Sequence, residues 1–471
     1  MNILSRAWGW IKNLFVSKTT IEQKLNVKVL LSHQEQNDII RYSDIYAGTA
    51  EWNNKDVVSL RTARNISSEI ASNVTIELET EVQGNDYINE QYQKVTKELR
   101  RTTEKVLASG GIIFRPFPYR GKMPVNISMP LDYFPLRYSL DGKLEKVCFV
   151  EFTEQQEGNE LKKYMLAEVH DWIFEEQIHH IYRHVYLMSD SSTPKNEVPI
   201  TSVSIWAELL PEASITASRP HFVTMFAPSG KPIFEPAIEL IRKLDEHERA
   251  IEIEVRNARQ RVIIDRDYLE RDEKTGKLVE STTDIFEPID AQDVGVTVYT
   301  PDIRMQPLLD RKEDIKREIE NAIVIGHGRY SKSLQVQKTA TEIESGNQPF
   351  YVIVKDYQDL ARESLEQIVI VMSEIATAMK EQSDYADITW KPGDSILVTE
   401  EEKQNKYSKD ITTILTLQGA GELPRGFAAA YIDKNNPELS SISLEAITEA
   451  TAKWGGLPDI IDNIGTNSAN A

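Results

Sequence analysis

The chain has 471 residues, 54 lysines and arginines against 74 aspartates and glutamates, and a net charge of −20. This length exceeds what one hydrophobic core usually supports, so we expect two or more domains or an elongated shape. The acidic balance argues against a general nucleic-acid-binding protein, because non-specific DNA affinity comes from cations that replace condensed counterions.

The single cysteine, Cys148, excludes an internal disulfide and a cysteine-rich zinc module. It lies in the apolar run KVCFVEF, which predicts a buried strand residue. The absence of a disulfide indicates a protein that folds in a reducing compartment.

Residues 1–42 are interpreted as an N-terminal helical arm. Four apolar side chains fall on one face of a short predicted helix, namely Trp8, Ile11, Leu14 and Phe15. We favour a helix that docks on this protein or on a neighbouring subunit, with a membrane-surface anchor as the alternative. A signal peptide is disfavoured because the apolar part is interrupted and no small-residue cleavage site follows. No apolar run approaches the roughly 18 residues that a membrane span needs.

Residues 43–235 predict an α+β region. The stretch VVSLRTARNISSEIASNVTIEL places five apolar residues on one helical face, Val58, Ala63, Ile66, Ile70 and Val74. A second amphipathic helix, YINEQYQKVTKELRRTTEKVLASG, is expected to end at Gly110 and Gly111. From Ile112 onward short β-rich runs alternate with turns, and Asp141–Gly142 is a hairpin signal.

A long charged helix is predicted over residues 236–262. Its apolar residues recur at alternating steps of four and three and form a narrow seam with one acidic break, comprising Ala237, Ile241, Leu244, Glu248, Ile251, Val255, Ala258 and Val262. A rod of about 39 Å with so narrow a seam does not suit a globular core, yet it is too apolar to stand alone. We therefore expect the seam to pack against a similar helix.

A second charged helix is predicted over residues 307–326, after an acidic, turn-rich β module at 263–306. Its stripe also contains a charged break, at Lys312. The two helices thus resemble a stalk that carries a small domain. Closed rotational symmetry would bury such seams between subunits, with the predicted interface residues Ile241, Leu244, Ile251, Val255, Ala258, Ile315 and Ile319.

Residues 327–338 form a basic, acid-free stretch in this acidic chain, with the cations His327, Arg329, Lys332 and Lys338. Composition alone leaves two interpretations open, a plain linker and a loop that positions DNA through its phosphates. Thr339 then opens a capping box, TATE, at the start of a helix. We expect that helix to kink or break near Pro349.

A metal site is weakly indicated by His180 and His184, which could bind an ion together with Glu176 if the segment were helical. Their β-branched and aromatic neighbours predict a strand instead. On a strand the two histidines would be about 13 Å apart, which is too far for one ion.

A carboxylate cluster at Asp265, Asp267 and Glu270 resembles a loose nuclease site. No basic or histidine partner is fixed nearby, so solvated turn charges are favoured. The chain also lacks a phosphate-loop motif and a recognisable Ser-His-Asp grouping. We predict a protein that is not an enzyme and uses no metal or cofactor.

Several stretches follow one another in a recognisable order: SGGIIFRPFPYRGKMPVNISMPLDYFPL, PSGKPIFEPAIELIRKLDEHERAIEIEVRNARQRVIIDRDYL, KTATEIES and ITWKPGDSILVTEEE. In this arrangement the chain resembles the portal proteins of tailed bacteriophages with long non-contractile tails. The resemblance extends from about Ser43 to about Gly456. Its most specific parts are KTATEI and FEPAIELIRKLD.

The resemblance implies an α+β, mainly helical subunit that assembles into a dodecameric ring around a central channel. It assigns residues 43–235 to a wing, 236–262 and 307–326 to the stem, 263–306 to a clip, and 399–456 to crown helices.

The connecting segments also receive roles from the resemblance. Residues 327–338 would be a tunnel loop that faces DNA, with 344–352 as the competing assignment. Residues 339–398 would join wing and crown through the kinked helix, and 457–471 would be a flexible tail.

The implied function is passage of double-stranded DNA during packaging and ejection, at one vertex of a capsid that assembles in the bacterial host cytoplasm. The implied partners are further copies of the chain, DNA bound without sequence specificity, the large terminase subunit, the head–tail adaptor, the scaffold and the major capsid protein. Clip contacts with these partners are expected at Asp265, Asp267, Asp272 and Glu273. Two other classes stay open, a metal-dependent nucleic-acid enzyme and another ring-forming structural or membrane-associated assembly protein.

Overall fold

A computed structural model describes the chain at residues 16–76, 78, 80–158, 160–189, 193–258, 261–265, 286–289, 296–299, 304–326, 328–331, 340–379 and 387–390. All of these belong to one compact unit, and residues 394–471 form a second unit that lies outside the described residues. The predicted crown helices at 399–456 and the tail at 457–471 are in that second unit. The described part is α+β.

The α-helices of the described part are α1 Lys18–Leu25, α2 His33–Ala47, α3 Thr62–Thr75, α4 Asp86–Lys97, α5 Leu99–Ser109, α6 Ile238–Asn257, α7 Met305–Ala322 and α8 Ala340–Ala378. The strands are β1 Thr80–Gln83, β2 Gly111–Pro116, β3 Val125–Ser128, β4 Tyr133–Tyr138, β5 Leu144–Glu157, β6 Glu160–Ile173, β7 Ile178–Met188, β8 Pro194–Val198, β9 Glu212–Thr216, β10 Val223–Phe226, β11 Arg261–Asp265, β12 Phe286–Ile289, β13 Val296–Tyr299 and β14 Asp387–Trp390. None of the helices within these ranges is long and apolar enough to span a membrane.

The largest sheet is antiparallel, in the order β4-β5-β6-β7-β8, with β9 paired to the first half of β7. Its strands alternate apolar residues between two buried faces. One face contains Cys148, Val150 and Met165, and the other contains Val147 and Phe149. Because both faces are covered, the strands read as nearly continuous apolar runs in the sequence.

The N-terminal segment covers one face of this sheet. Val16, Ile21 and Val29 are buried against the strands together with Cys148. Burial raises the pKa of the Cys148 thiol, which fits the predicted inert strand residue. The predicted arm at 1–42 is therefore docked on its own chain from Val16 onward, and residues 1–15 lie outside the described residues.

The helices α3, α4 and α5 correct two sequence predictions. The face of α3 is buried as predicted, at Ala63, Ile66, Ile70 and Val74, but Val58 precedes the helix and is exposed. The single helix predicted up to the glycines is divided at Glu98 into α4 and α5.

The end of α5 is determined by two glycines. Gly110 caps the helix in the left-handed conformation, with a φ of 84°. At Gly111 a Cβ would lie 2.4 Å from the Phe226 ring, so a side chain there would separate β2 from β10. These strands and β3 form a second small sheet in the order β10-β2-β3.

The two predicted stalk helices exist but differ in length. The predicted helix at 236–262 is α6, which ends at Asn257 because the chain turns at Ala258 and enters β11 at Arg261. The predicted helix at 307–326 is α7, Met305–Ala322. Between them β11, β12 and β13 form a three-stranded sheet in the order β12-β11-β13, as the predicted β module at 263–306 requires.

The expected break near Pro349 is wrong, and a kink there, the other expectation, stays a prediction. Helix α8 runs from Ala340 to Ala378 with Pro349 inside it. From Phe350 onward its inner side is buried at Phe350, Val354, Tyr357, Ala361, Leu365 and Ile368. Burial of this apolar face offsets the cost of an internal proline, which is about 3 kcal/mol.

Candidate functional site

Helices α6 and α7 form an antiparallel pair joined by polar contacts. The His247 Nε2–H donates to the Leu308 carbonyl oxygen over 2.8 Å. Farther along, the Arg304 guanidinium contacts the Glu254 carboxylate at 3.0 Å. These contacts fix the two helices side by side, so the stalk predicted from the sequence is a helical hairpin within one chain.

The inner half of the predicted seam is buried inside this chain. Ile241, Leu244, Ile315 and Ile319 are at most 3% exposed. They leave almost no surface for a neighbouring subunit, so their predicted role as interface residues is corrected to burial within this chain. The sequence could not separate the two cases, because a helix of the same chain and a helix of a second chain satisfy the same apolar stripe.

The outer half of the hairpin keeps apolar surface exposed. Val255 is 48% exposed and Ile253 is 41% exposed, and Leu309 on α7 is 39% exposed. Ile251 and Ala258 are half-buried. Among the described residues, this end of the hairpin is the part of the predicted seam that can still meet another molecule.

A buried carboxylate fastens α6 to the chain before α3. Asp245 is 1% exposed and accepts hydrogen bonds from three groups. Its Oδ2 accepts from the Trp52 indole over 2.9 Å and from the Asn53 amide over 3.1 Å, and its Oδ1 accepts from the Leu60 backbone N–H over 2.9 Å. Asp245 therefore sets the position of the inner end of the hairpin.

A second buried carboxylate, Glu320 near the end of α7, organises the start of the predicted tunnel loop. It accepts from the backbone N–H of Gly328 at 3.1 Å, of Tyr330 at 2.5 Å and of Ser331 at 2.8 Å, and from the Ser331 hydroxyl at 2.7 Å. Burial alone would raise the pKa of this carboxyl group, but the hydrogen bonds outweigh it, and the pKa lies below its ordinary value. These hydrogen bonds thus fix the conformation of the turn at residues 328–331.

Arg329 in this turn is directed into its own chain. Its guanidinium carbon lies 3.5 Å from the centre of the Phe350 ring on α8. Its Nε is buried and has no hydrogen-bond partner among the described residues. Burial lowers the pKa of Arg329, and the nearby Glu69 carboxylate opposes this effect. Arg329 is only partly buried, so its predicted contact with DNA stays a prediction.

Other predicted site residues fall where side chains are not described. His327, Lys332 and Lys338 lie outside the described residues, as do Asp267, Glu270, Asp272 and Glu273. Asp265 ends strand β11, and only its backbone is described. The competing tunnel-loop segment at 344–352 lies inside α8, so it is a stretch of helix.

The histidines weighed as metal ligands lie on strand β7, as the sequence predicted. The His180 Nδ1 is 2.8 Å from the Ser214 hydroxyl, and the His184 Nδ1 is 2.8 Å from Glu197 Oε1. Each ring therefore has its own protein partner. Within the described ranges no group of three histidine, cysteine or acidic side chains has the geometry of a metal site.

A buried polar network, which the sequence reading missed, lies between the large sheet and strand β2. The Glu168 carboxylate, 7% exposed, contacts the Arg115 guanidinium at 2.6 Å, the Arg183 guanidinium and the His170 Nε2 at 2.8 Å. Arg115 also pairs with Glu151. The available signal was that Glu168 and His170 share one face of a strand whose other face carries Ala167 and Val169 beside them.

The Glu168 carboxylate and the groups that contact it are charged but shielded from solvent. Burial raises the pKa of Glu168 and the two arginines and His170 lower it more strongly, so the pKa lies well below its ordinary value. An ionised, fully paired carboxylate suits a structural role.

Comparisons with known proteins add no functional assignment to this geometry. No protein-family model matches the chain, and no curated protein matches it. The solved structures that resemble it include chains of the "Neck of native GTA particle computed with C12 symmetry" and of the "Neck of empty GTA particle computed with C6 symmetry". Both are 9% identical to this chain and cover 88% of it, with 98% and 97% of their own lengths matched. Both have a TM-score of 0.38, and a likeness of this strength carries no inference about function.

Proposed function

We propose that this protein is a portal subunit, which forms a ring with a central channel through which double-stranded DNA is packaged and ejected. The observation that carries the proposal is the helical hairpin of α6 and α7. It holds a three-stranded sheet on the connection between its helices and keeps apolar side chains exposed at its outer end. The sequence resemblance to portal proteins covers the same elements.

The exposed side chains of the hairpin support a subunit interface. Ile253, Val255 and Leu309 are flanked by charged residues and sit beyond the part of the seam that is buried within the chain. Exposed apolar groups beside a polar rim are typical of protein–protein contacts. In a cyclic ring each hairpin would meet the next one, and no free surface would remain.

The charge of the chain suits a passage for DNA. With a net charge of −20, a channel wall made of this protein would repel phosphates and form few counterion-releasing contacts. A small number of cations would then suffice to position the duplex without reading its sequence. Arg329, Lys332 and Lys338 are the candidates, and Arg329 also contacts the Phe350 ring. ATP hydrolysis would belong to a separate motor, the terminase, which together with the adaptor would meet the module at 263–306.

The first test is the mass of the purified protein by light scattering, with negative-stain images of the same sample. The expected particle is about 640 kDa, twelve times the 53.7 kDa chain, with a hole along its axis. A protein that stays monomeric and cleaves DNA in the presence of a divalent metal ion would overturn the proposal and favour the nuclease alternative.

The second test addresses the DNA-facing loop. In a packaging reaction, the double variant Lys332→Glu and Lys338→Glu is expected to retain less DNA while its rings form normally. The matched control carries the same charge change at Lys97 and Lys122, which are exposed on the body of the subunit. Equal packaging by both double variants would show that the loop at 327–338 does not position DNA.

A further inference from the structure

Three buried histidines form a row between the large sheet and the C-terminal end of α8. His170, His179 and His221 are at most 2% exposed. The His170 Nδ1 lies 2.8 Å from the His179 Nε2, and the His179 ring stacks on the His221 ring with centres 5.1 Å apart. The row ends at Glu374 of α8, whose Oε2 is 3.1 Å from the His221 Nε2.

The hydrogen bonds assign one proton to each of the His170 and His179 rings. The His179 Nδ1 accepts from the His221 backbone N–H at 3.4 Å, so the His179 Nε2 carries the proton and donates it to the His170 Nδ1. The His170 Nε2 must then donate to Glu168 Oε1, at 2.8 Å. At the far end the His221 Nε2–H donates to Glu374, while the His221 Nδ1 has no partner among the described residues. His170 and His179 are therefore neutral Nε2–H tautomers.

In this arrangement neither His170 nor His179 can take up a second proton without losing a hydrogen bond. A proton on the His179 Nδ1 would face the His221 backbone N–H, and a proton on the His170 Nδ1 would face the His179 Nε2–H. Either one converts a hydrogen bond into a contact between two donors. The segment that would be displaced also holds α8, because the Ser218 backbone N–H donates to Glu374 Oε1 at 3.2 Å and the Ser218 hydroxyl contacts the same atom.

The charges around the row come from every element that packs against it. They are Arg115 on β2, Glu151 on β5, Glu168 on β6, His180 and Arg183 on β7, and Glu374 on α8. Phe149 and Phe222 close the site with ring edges toward His170. Burial lowers the pKa of His170 even though the Glu168 carboxylate raises it, and burial together with the two neighbouring imidazoles holds the pKa of His179 well below its ordinary value.

We propose that the row of His170, His179 and His221 is a proton-operated clasp that fastens the end of α8 to the large sheet at neutral pH and releases it on acidification. The clasp does not depend on the proposed portal function, because it uses only contacts within one subunit. Its physical basis is linkage: an open state in which the imidazoles reach water binds protons that the closed state excludes. Each such histidine then favours opening by about tenfold when the pH falls from 7.5 to 5.5, given an ordinary imidazole pKa of about 6.5.

The test is hydrogen–deuterium exchange of the full chain at pH 7.5 and pH 5.5, after correction for the intrinsic exchange rates. In the unaltered protein, protection of residues 218–222 and 369–378 is expected to fall by about a hundredfold, which is tenfold for each of His170 and His179. Helix α5, remote in the chain from these segments, is expected to keep its protection and serves as an internal reference. Equal protection at the two pH values would overturn the proposal.

The matched pair of variants is His179→Gln and His180→Gln, the same substitution at neighbouring positions of β7. A glutamine amide offers one donor and one acceptor, like the neutral imidazole, but it takes up no proton in this range. His179→Gln should therefore show only about a tenfold loss of protection, and His180→Gln should behave like the unaltered protein. If His179→Gln does not fold, His170→Gln takes its place with the same expected result. If the variant that folds, His179→Gln or His170→Gln, still shows the full loss of protection at pH 5.5, the proposed clasp is wrong.

Discussion

The Lys312 ammonium nitrogen lies 2.5 Å from Glu248 Oε2, across the antiparallel pair α6 and α7. In the sequence each residue interrupts an apolar seam, and neither interruption has an evident purpose alone. In the fold the two interruptions face each other. A polar pair inside an apolar seam fixes the register of two helices, because any slip would bury each charge without its partner. The seams of α6 and α7 are thus specific for each other.

This pairing predicts a charge-dependent stability of the hairpin. The side chains of Lys312 and Glu248 are 22% and 30% exposed. Lys312→Glu places two carboxylates together and is expected to lower the free energy of unfolding by about 1–2 kcal/mol. The double variant with Glu248→Lys restores opposite charges and should recover most of the loss, as measured by urea denaturation.

The control for this prediction is Arg311→Glu, at the neighbouring position. Arg311 pairs with Glu318, and both side chains are more than 40% exposed. An exposed pair contributes about 0–1 kcal/mol, so this variant should be the less destabilised of the two. A double variant no more stable than Lys312→Glu alone would contradict the register role of the pair.

Asp245 is predicted to be among the most sensitive positions of the hairpin. Asp245→Ala would leave the Trp52 indole, the Asn53 amide and the Leu60 backbone N–H without their acceptor in a buried site. The expected loss is about 3 kcal/mol of unfolding free energy, observable as a lower urea midpoint. Asp314→Ala on the neighbouring helix removes an aspartate that is 49% exposed, and it should change stability by less than about 0.5 kcal/mol. Similar losses in both variants would show that Asp245 does not anchor the helix.

Glu320 is predicted to control access to the turn at 328–331. Glu320→Gln replaces one acceptor oxygen by an amide donor that faces backbone N–H groups, so the turn should open more often. Trypsin cleavage after Arg329, followed by mass spectrometry, is expected to accelerate by about tenfold, which corresponds to about 1.4 kcal/mol. Glu318→Gln, whose side chain is 43% exposed, is the matched control and should leave this rate unchanged.

The Glu320 carboxylate also predicts how the stability of the turn at 328–331 changes with pH. The pKa of Glu320 is lower in the folded chain than its ordinary value of about 4.3. Its contribution to stability is therefore complete above the ordinary value and is lost as the pH falls through the folded pKa. Cleavage within residues 328–331 by a protease that is active in acid should accelerate below about pH 4 in the unaltered protein and stay nearly constant in Glu320→Gln.

The sequence predicted the helices and strands better than it predicted which of them pack against one another. Short β-rich runs divided by turns indicated β4 to β7, and steps of four and three residues indicated α6 and α7, because these signals are local properties of the chain. The seam at Ile241 and Ile315 was assigned to a second subunit because an apolar stripe records that a surface is buried and not by which chain. The helix through Pro349 was missed for a related reason, since burial at Phe350 and beyond overrides a local penalty.

The buried carboxylates escaped prediction because their partners are distant in sequence. Asp245 binds groups almost 200 residues earlier, and Glu374 binds His221 across 153 positions. A charged residue on a predicted helix is ordinarily solvated, so composition gave no reason to single these out. The contact of Arg329 with the Phe350 ring on α8 was likewise not predicted.

Assembly is predicted to depend on the outer half of the hairpin and not on the inner half. Val255→Asp changes a side chain that is 48% exposed, so the subunit should fold with nearly unchanged secondary structure. If hairpins meet side by side in a ring, the buried charge should shift the light-scattering mass toward the single chain. Ile241→Asp should instead unfold the subunit, because a carboxylate at a site that is 2% exposed has no partner there.

Two measurements separate these outcomes, a circular-dichroism melt for the fold and the solution mass for the assembly. Arg256→Asp, at an exposed neighbouring position of α6, introduces the same residue without removing apolar surface and controls for added negative charge. Rings of normal mass from Val255→Asp would show that the exposed apolar end of the hairpin is not a subunit contact. The Val255→Asp variant is expected to fold normally, so a lower mass would show that the subunit interface is lost. Ile241→Asp cannot give this information, because it is expected to unfold the subunit.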